Sequence, residues 1–439
     1  MFNGVLLAHG VGSRGTLPLP LWQFAWAGIA ALVLSFVALG ALWRSPKLTS
    51  TSDRVVHGTR GPITAGIWLL RMIGLIVFGI TIGAALFGAD VPGESVNIAP
   101  VTIYVMLWVA VPIASAILGD IWSALNPFAT IGLLVPDRTR HEAPNHRWVA
   151  VVTIFGFLLL ELVHPSGDSP RVLGWAMLIY SVIMIVGLVR FGRSWLDRAD
   201  GFGVLFSLIA AMSPFTTDDR NSLVVRRPLS GLAAIVVRPG TTMLLLTVLG
   251  GTSFDGFSES PIFTDIIGRP TGWGAVVPKT IGLIALIGIA TVLYWMGARA
   301  TAKVTGIEHR EAADLFAPSL VPIVWAYAVA HYAQLLVDQS QSFIHRLSNP
   351  YGRFDANGEP SQDWFGTATN SVDLNVINVD IVAWVQAVSI VIGHVLAVLY
   401  AHDLAVTRFS NRDAARSQQT MLLVMVVYSV AGLWLLFAA

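Results

Sequence analysis

Residues 314–346, DLFAPSLVPIVWAYAVAHYAQLLVDQSQSFIHR, form a long apolar stretch that carries three regularly spaced ionisable side chains. His331, Asp338 and His345 follow one another at intervals of seven residues. Because seven residues make nearly two helical turns, an unbroken helix would place all three along one stripe. An ionisable group at mid-depth in a bilayer costs about 3 kcal/mol or more, so it normally faces a bundle interior or a water-filled cavity. The stretch therefore predicts a membrane-spanning helix with a functional polar face.

The whole chain has the composition of a polytopic membrane protein. Hydrophobic residues make up 55% of its 439 residues and charged residues 12%, and the mean hydropathy is +0.69. Soluble domains contain about 25% charged residues. The net charge of +1 provides no basic excess, so we expect no nucleic-acid partner. The sequence contains no cysteine, which excludes disulfides, cysteine-ligated zinc and iron–sulfur clusters.

Ten apolar segments are long enough to cross the hydrocarbon core, which requires about 20 helical residues. They lie near residues 20–43, 66–88, 100–118, 148–163, 172–189, 239–254, 280–298, 316–338, 380–403 and 420–438. If the N-terminus lies outside, the cytoplasmic connections hold most of the 27 lysine and arginine residues, as the positive-inside rule requires. We therefore expect residues 1–439 to form one all-α bundle of about ten spans in the bilayer, with both termini outside.

Some segments do not fit this series of spans. Phe202–Ser213 is apolar but too short to cross, and Trp122–Leu134 is interrupted by Asn126-Pro127, so both predict interfacial or re-entrant helices. The polar stretch 339–378 predicts an external loop that either caps a cavity or is simply solvated. The first eight residues are too few for a removable signal peptide of ordinary form.

Acidic and imidazole side chains are expected near the outer surface. The candidate catalytic residues are His331, Asp338 and Asp255. The candidate metal ligands are His331, Asp338, Asp255, Glu259, His9, Glu161 and His164. These residues converge only if the fourth, sixth and eighth spans are neighbours. Such ligands suit a divalent metal such as zinc, manganese or iron, and a hydroxide bound to the metal could attack a phosphorus centre.

Transport of a small solute, a metal ion or protons is the alternative function. The candidate ion path consists of His331, His394, His402, Asp403 and Asp120. His331 is expected in the outer leaflet and His394 in the inner one, so they would act as two stations and would not share a haem iron. No haem is expected. Alternatively, each of these side chains is satisfied separately at a helix contact, or the protein is a structural subunit of a membrane complex.

Several short motifs resemble one family over nearly the whole chain. They are Leu7–Gly10, Leu17–Trp22, Ser35-Phe36, Gly119–Trp122 with Asn126-Pro127, Ser253–Phe257, Trp364–Ala368 and Gly393–Ala397. With these motifs the chain resembles the bacterial membrane proteins labelled fenitrothion hydrolase. The resemblance implies cleavage of an organophosphorus triester by a protein of the bacterial plasma membrane. None of the motifs is a recognised catalytic signature, so the resemblance assigns no catalytic residue.

Overall fold

A computed structural model describes residues 21–48, 53–91, 96–135, 141–268 and 270–438. The first half of this part of the chain is mainly helical. In chain order its elements are α1 (Leu21–Leu42), strand β1 (Arg54–Val55), α2 (Arg60–Phe87), α3 (Ile98–Pro100), a π-helix (Val101–Ala110), α4 (Val111–Leu118), α5 (Trp122–Leu125), α6 (Pro127–Ile131), α7 (Trp148–Leu162), α8 (Pro170–Phe191), a 3-10 turn (Arg193–Trp195), α9 (Leu196–Ala199) and α10 (Gly201–Ala210).

The second half begins with two short strands and is otherwise helical. Its elements are β2 (Phe215–Thr217), β3 (Leu223–Val225), a 3-10 turn (Ser230–Ala234), α11 (Thr241–Ser258), α12 (Pro261–Ile267), a 3-10 turn (Gly272–Ala275), α13 (Val276–Thr305), α14 (His309–Phe316), a 3-10 turn (Ala317–Leu320), α15 (Val321–Ser348), α16 (Val379–Arg408), α17 (Asn411–Ser417) and α18 (Gln419–Ala438).

Eight helical segments in the described part of the chain are long and apolar enough to cross a membrane. They correspond to eight of the ten predicted spans. The other two predicted spans form α7 and α11, helices of 15 and 18 residues, and α11 is buried along almost its whole length. The chain is therefore an all-α integral membrane protein, as predicted, in which two of the ten predicted spans are shorter helices.

The predicted external loop starts ten residues later than expected. Helix α15 continues without a break to Ser348, so the prediction that the loop begins at Gln339 is wrong. Residues 339–348 are polar, but they include no glycine or proline, and polarity alone does not end a helix. The helix ends before Asn349-Pro350, where a proline disfavours helical geometry at the preceding residue. His331, Asp338 and His345 do lie on one continuous helix.

Both short apolar segments form helices. The first is broken at Asn126, whose side chain accepts a hydrogen bond from the backbone N–H of Phe128 at 2.9 Å and so caps α6. The second is α10, in which nearly every residue is buried. An interfacial helix keeps one polar face in water. The burial of α10 therefore favours the re-entrant alternative.

The connections sort onto two sides of the bundle as the charge pattern predicts. Strand β1, which follows α1, pairs antiparallel with β3, which lies between α8 and α11, and Arg54 is opposite Val225. On the other side, the backbone N–H of Ala89 donates to the carbonyl of Tyr351 at 2.8 Å. Loops predicted to share a side thus contact each other. We use "arginine-rich side" below for the side that carries the sheet.

Small residues set the helix spacing in the bundle. A β-carbon on Gly250 of α11 would lie 2.4 Å from the Cα of Ile287 on α13. Likewise, a β-carbon on Gly393 of α16 would lie 2.2 Å from the Cβ of Ala326 on α15. Close backbone approach at small residues is the usual basis of helix association in a bilayer, where the hydrophobic effect does not drive helices together.

Gly250→Ala is therefore expected to lower the thermal stability of the protein in detergent. The added methyl group overlaps the backbone of α13, and overpacking of this kind costs about 1–3 kcal/mol. Gly288→Ala is the matched control, because the same methyl group on α13 meets no atom within 4 Å. Thermal unfolding followed by circular dichroism compares the two variants. Equal melting temperatures would contradict the packing described here.

Candidate functional site

A carboxylate and an imidazole meet between α11 and α15. The Nε2 atom of His331 lies 2.8 Å from the Oδ2 atom of Asp255, and the hydroxyl of Tyr332 donates to the same oxygen at 3.0 Å. His331 exposes 5% of its surface and Asp255 only 1%. This contact joins the predicted eighth span to the predicted sixth.

Glu161 of α7 lies beside this pair. It is buried, and it is close enough to Asp255 and Tyr332 to interact with both electrostatically. Its Oε2 atom has no hydrogen-bond partner among the described residues. We call Glu161, Asp255, His331 and Tyr332 the acid–imidazole cluster. It lies near the ends of α7 and α11 that are opposite the arginine-rich side.

Close packing at Gly251 explains why the carboxylates of Glu161 on α7 and Asp255 on α11 lie at the same depth in the bundle. A β-carbon on Gly251 would lie 2.6 Å from the Cδ1 atom of Leu158, so the helices are in close contact there. One turn further along, α7 carries Glu161 and α11 carries Asp255. A larger residue at position 251 would separate the two carboxylates.

The other predicted residues on α15 do not join the cluster. Asp338 accepts a hydrogen bond from the side chain of Gln334 on its own helix at 2.8 Å. Asp338 and His331 share a helix face, but seven residues separate them by roughly 10 Å along the helix axis. His345 lies two turns further on and is half-buried. The stripe predicted from the sequence therefore exists, but its members do not contact one another.

The remaining predicted metal ligands also lie apart. Glu259 is exposed at the end of α11, and His164 lies in the turn after α7, where its Nδ1 atom accepts from the backbone of Ser166 at 3.1 Å. His9 lies outside the described residues. Within the described ranges, no three histidine, aspartate or glutamate side chains are grouped closely enough to hold a metal ion. The divalent metal centre suggested by the sequence therefore stays a prediction.

The inner residues of the predicted ion path make local structural contacts. His394 is fully buried, and its Nδ1 atom lies 2.8 Å from the carbonyl oxygen of Ile390 on its own helix. Asp403 accepts hydrogen bonds from the indole of Trp43 at 2.7 Å and from the backbone of Lys47 at 2.6 Å and Leu48 at 3.0 Å. Asp403 thus fixes the chain that leaves α1.

His402 makes contacts in the same region. Its Nε2 atom lies 3.3 Å from the carbonyl oxygen of Trp43, and its Nδ1 atom lies 3.3 Å from the side-chain nitrogen of Gln418. A neutral imidazole protonated at Nε2 satisfies both contacts, since it donates to the carbonyl and accepts from the amide. His402 therefore links α16 to the ends of α1 and α17.

A second polar region opens on the arginine-rich side. It is a cavity of about 640 Å³ that is lined by α5, α9 and α10 and by the loops around them. Its charged residues are Arg71, Arg147, Arg193, Arg238, Asp120, Asp197 and Asp200. Although these residues share one cavity, no ion pair within 4 Å joins any two of them in the described structure. We call it the polar cavity.

The environment of the polar cavity shifts the pKa values of two residues that line it. Limited hydration, together with repulsion from Asp197 and Asp200, raises the pKa of Asp120 to about 6, although hydrogen bonding from Ser123 opposes the shift. Burial and the neighbouring Arg238 lower the pKa of Arg147 to about 10. Arg147 therefore remains charged at neutral pH. Asp120, the one predicted path residue in this cavity, changes charge near pH 6.

The sequence analysis missed Asp200 and Tyr332. Asp200 is buried, caps α10 by accepting from the backbone of Gly203 at 2.9 Å, and accepts from the side chains of Asn126 at 2.6 Å and Tyr180. An aspartate directly before an apolar helical stretch is a recognisable N-cap signal. No comparable signal identified Tyr332, because a tyrosine in an apolar helix is common.

Comparisons with models of protein families, with curated proteins and with solved structures find no match. Function must therefore be argued from the two polar regions. The acid–imidazole cluster is closed to solvent, whereas the polar cavity is open on the arginine-rich side.

Asp403→Ala is expected to destabilise the protein, because it leaves three donors from the segment after α1 without their acceptor. Each buried polar group left unsatisfied costs about 1–3 kcal/mol. The matched control is Asp380→Ala on the same helix, where the carboxylate is exposed and contributes at most about 1 kcal/mol at the helix N-terminus. Melting temperatures in detergent measure the difference. If the Asp403→Ala and Asp380→Ala variants have the same melting temperature, the anchoring role assigned to Asp403 is wrong.

Proposed function

We propose that the protein is a proton-translocating membrane transporter and that its acid–imidazole cluster takes up and releases the proton. The observation that carries this proposal is the 2.8 Å contact between His331 and Asp255, inside apolar helices and beside the unpartnered Oε2 atom of Glu161. Ionisable residues within apolar helices are rare because burying them is costly, and those that occur often mark proton relays.

The chemistry of the cluster suits reversible protonation. Imidazole and carboxylate side chains can both bind and release a proton. The imidazole of His331 and the hydroxyl of Tyr332 both lie within hydrogen-bonding distance of the same oxygen of Asp255, a geometry that permits proton exchange between His331 and Asp255. Glu161, whose Oε2 atom lacks a partner, is placed to accept a proton from the pair or to pass one on.

The same geometry gives less support to phosphotriester hydrolysis. A hydrolase of the expected kind needs an ion held by several ligands and room for a bulky triester. His331, Asp255 and Glu161 expose only 5%, 1% and 7% of their surfaces, and neither Asp338 nor Glu259 completes a ligand set with them. The transport alternative requires no pocket for an organic substrate at the cluster.

The proposal predicts proton flux that depends on Asp255. Proteoliposomes containing the wild-type protein and an internal pH-sensitive dye should dissipate an imposed pH gradient faster than empty liposomes. Asp255→Asn keeps the size of the side chain but cannot accept a proton. It should reduce the protein-dependent rate by about tenfold or more, the effect of a barrier change of 1.4 kcal/mol.

Asp338→Asn is the matched control, because it removes a carboxylate from α15 that lies outside the cluster. It should retain wild-type flux. The proposal is rejected if wild-type and Asp255→Asn proteoliposomes dissipate the pH gradient at equal rates. It is also rejected if proteoliposomes with the wild-type protein dissipate the gradient no faster than empty liposomes. An aryl phosphotriester assay on the same preparation tests the competing function, and metal-dependent cleavage abolished by His331→Ala would establish hydrolysis instead.

A further inference from the structure

Two cavities share the broken helix α5–α6 as a wall. The polar cavity is lined on one side by Ser123, Asn126 and Ala129. An apolar groove of about 470 Å³ is lined on the other side by Leu125 and Phe128 and by residues of α2, α7, α8 and the π-helix. Trp122 lines both spaces. A single ligand with one polar and one apolar end could therefore occupy both, with Trp122 at the boundary.

In the described part of the chain, no carboxylate forms an ion pair within 4 Å with Arg71 or Arg147 of the polar cavity, although Asp197 interacts with Arg147 electrostatically at longer range. Arg71 lies in the apolar helix α2, a costly position for a charge, and its guanidinium lies 4.9 Å from the centroid of the Trp68 ring. The Nε atoms of Arg71 and Arg147 are buried and have no hydrogen-bond partner among the described residues. Arginine presents its donors in a planar fork that matches the oxygens of a phosphate. These two side chains point to a phosphate-bearing group.

The apolar groove opens to the hydrocarbon of the bilayer. Val152 and Ile179, which line it, expose 67% and 62% of their surfaces on apolar helices that face lipid. Gly156 also lines the groove, and a β-carbon there would meet no atom within 4 Å. Hydrocarbon chains of the surrounding leaflet therefore have direct access to this space, whereas a water-soluble anion would fill only the polar cavity.

We propose that the two cavities form one binding site for a phospholipid of the adjacent leaflet. Its phosphate lies between the guanidinium groups of Arg71 and Arg147, and one acyl chain passes Trp122 into the groove between α2, α7 and α8. Basic pockets between helices on the cytoplasmic side commonly hold lipid head groups. The polar cavity, at about 640 Å³, lies within the usual size range of small-ligand pockets. This site is separate from the acid–imidazole cluster and does not depend on proton transport.

The test measures binding of dioleoyl phosphatidylglycerol to the purified, delipidated full-length protein by native mass spectrometry. Arg71→Gln should weaken binding about tenfold or more, because it removes a charge-assisted contact to phosphate. Arg190→Gln is the matched control: it removes a positive charge from the exposed end of α8, where the guanidinium lies over Phe191 and outside the cavity. It should bind the lipid as the wild type does.

Gly156→Phe tests the groove independently of charge, since the new side chain fills the space reserved for the acyl chain. It should weaken binding of dioleoyl phosphatidylglycerol while the melting temperature stays near that of the wild type. Inorganic phosphate distinguishes a lipid site from a site for a free anion. The proposal is overturned if Arg71→Gln and Gly156→Phe both bind the lipid normally. It is also overturned if inorganic phosphate alone binds as tightly as the lipid, with no effect of Gly156→Phe.

Discussion

The arrangement of the bundle core follows from the need to give the Asp255 carboxylate partners in an apolar interior. Removing one member of a buried charged pair costs about 3–5 kcal/mol, so the groups that contact Asp255 must stay in place. His331 and Tyr332 meet this need from α15, and both approach the same carboxylate oxygen. Helices α11 and α15 are thereby fixed in register, and Gly251 brings α7 with Glu161 to the same level.

Buried aspartates also organise the arginine-rich side, through hydrogen bonds from backbone and side-chain donors. Asp200 caps α10 and joins it to Asn126 at the break between α5 and α6, and Asp403 holds the chain after α1 against α16. Each carboxylate accepts hydrogen bonds from several N–H or O–H groups, and such bonds offset part of the cost of burying a charge. Among the described residues, no carboxylate forms an ion pair within 4 Å with an arginine of the polar cavity, so these arginines are available to a ligand.

Helix positions were predictable from the sequence because they depend on local properties. Hydropathy identified the long spans, Asn126-Pro127 marked the break before α6, and lysine and arginine counts sorted the loops onto two sides. The site was predictable only in part. Regular spacing placed His331 and Asp338 on one helix face, but two helical turns separate them along the axis. The residue that contacts His331 is Asp255, which lies 76 residues earlier in the sequence, on another helix. Periodicity does not reveal such a pairing.

The two polar regions occupy opposite ends of the molecule and differ in their relation to solvent. The acid–imidazole cluster is closed on all sides and holds groups whose charge responds to protons, so it can influence the protein only by changing protonation or by moving its helices. The polar cavity is open and lies next to Trp122 and the short α5–α6 break, where the backbone is already interrupted. Helix α10 packs between α4, α5 and α7 and also contacts α15. A change in the cluster that shifts α7 or α15 would therefore reach the wall of the polar cavity through α10.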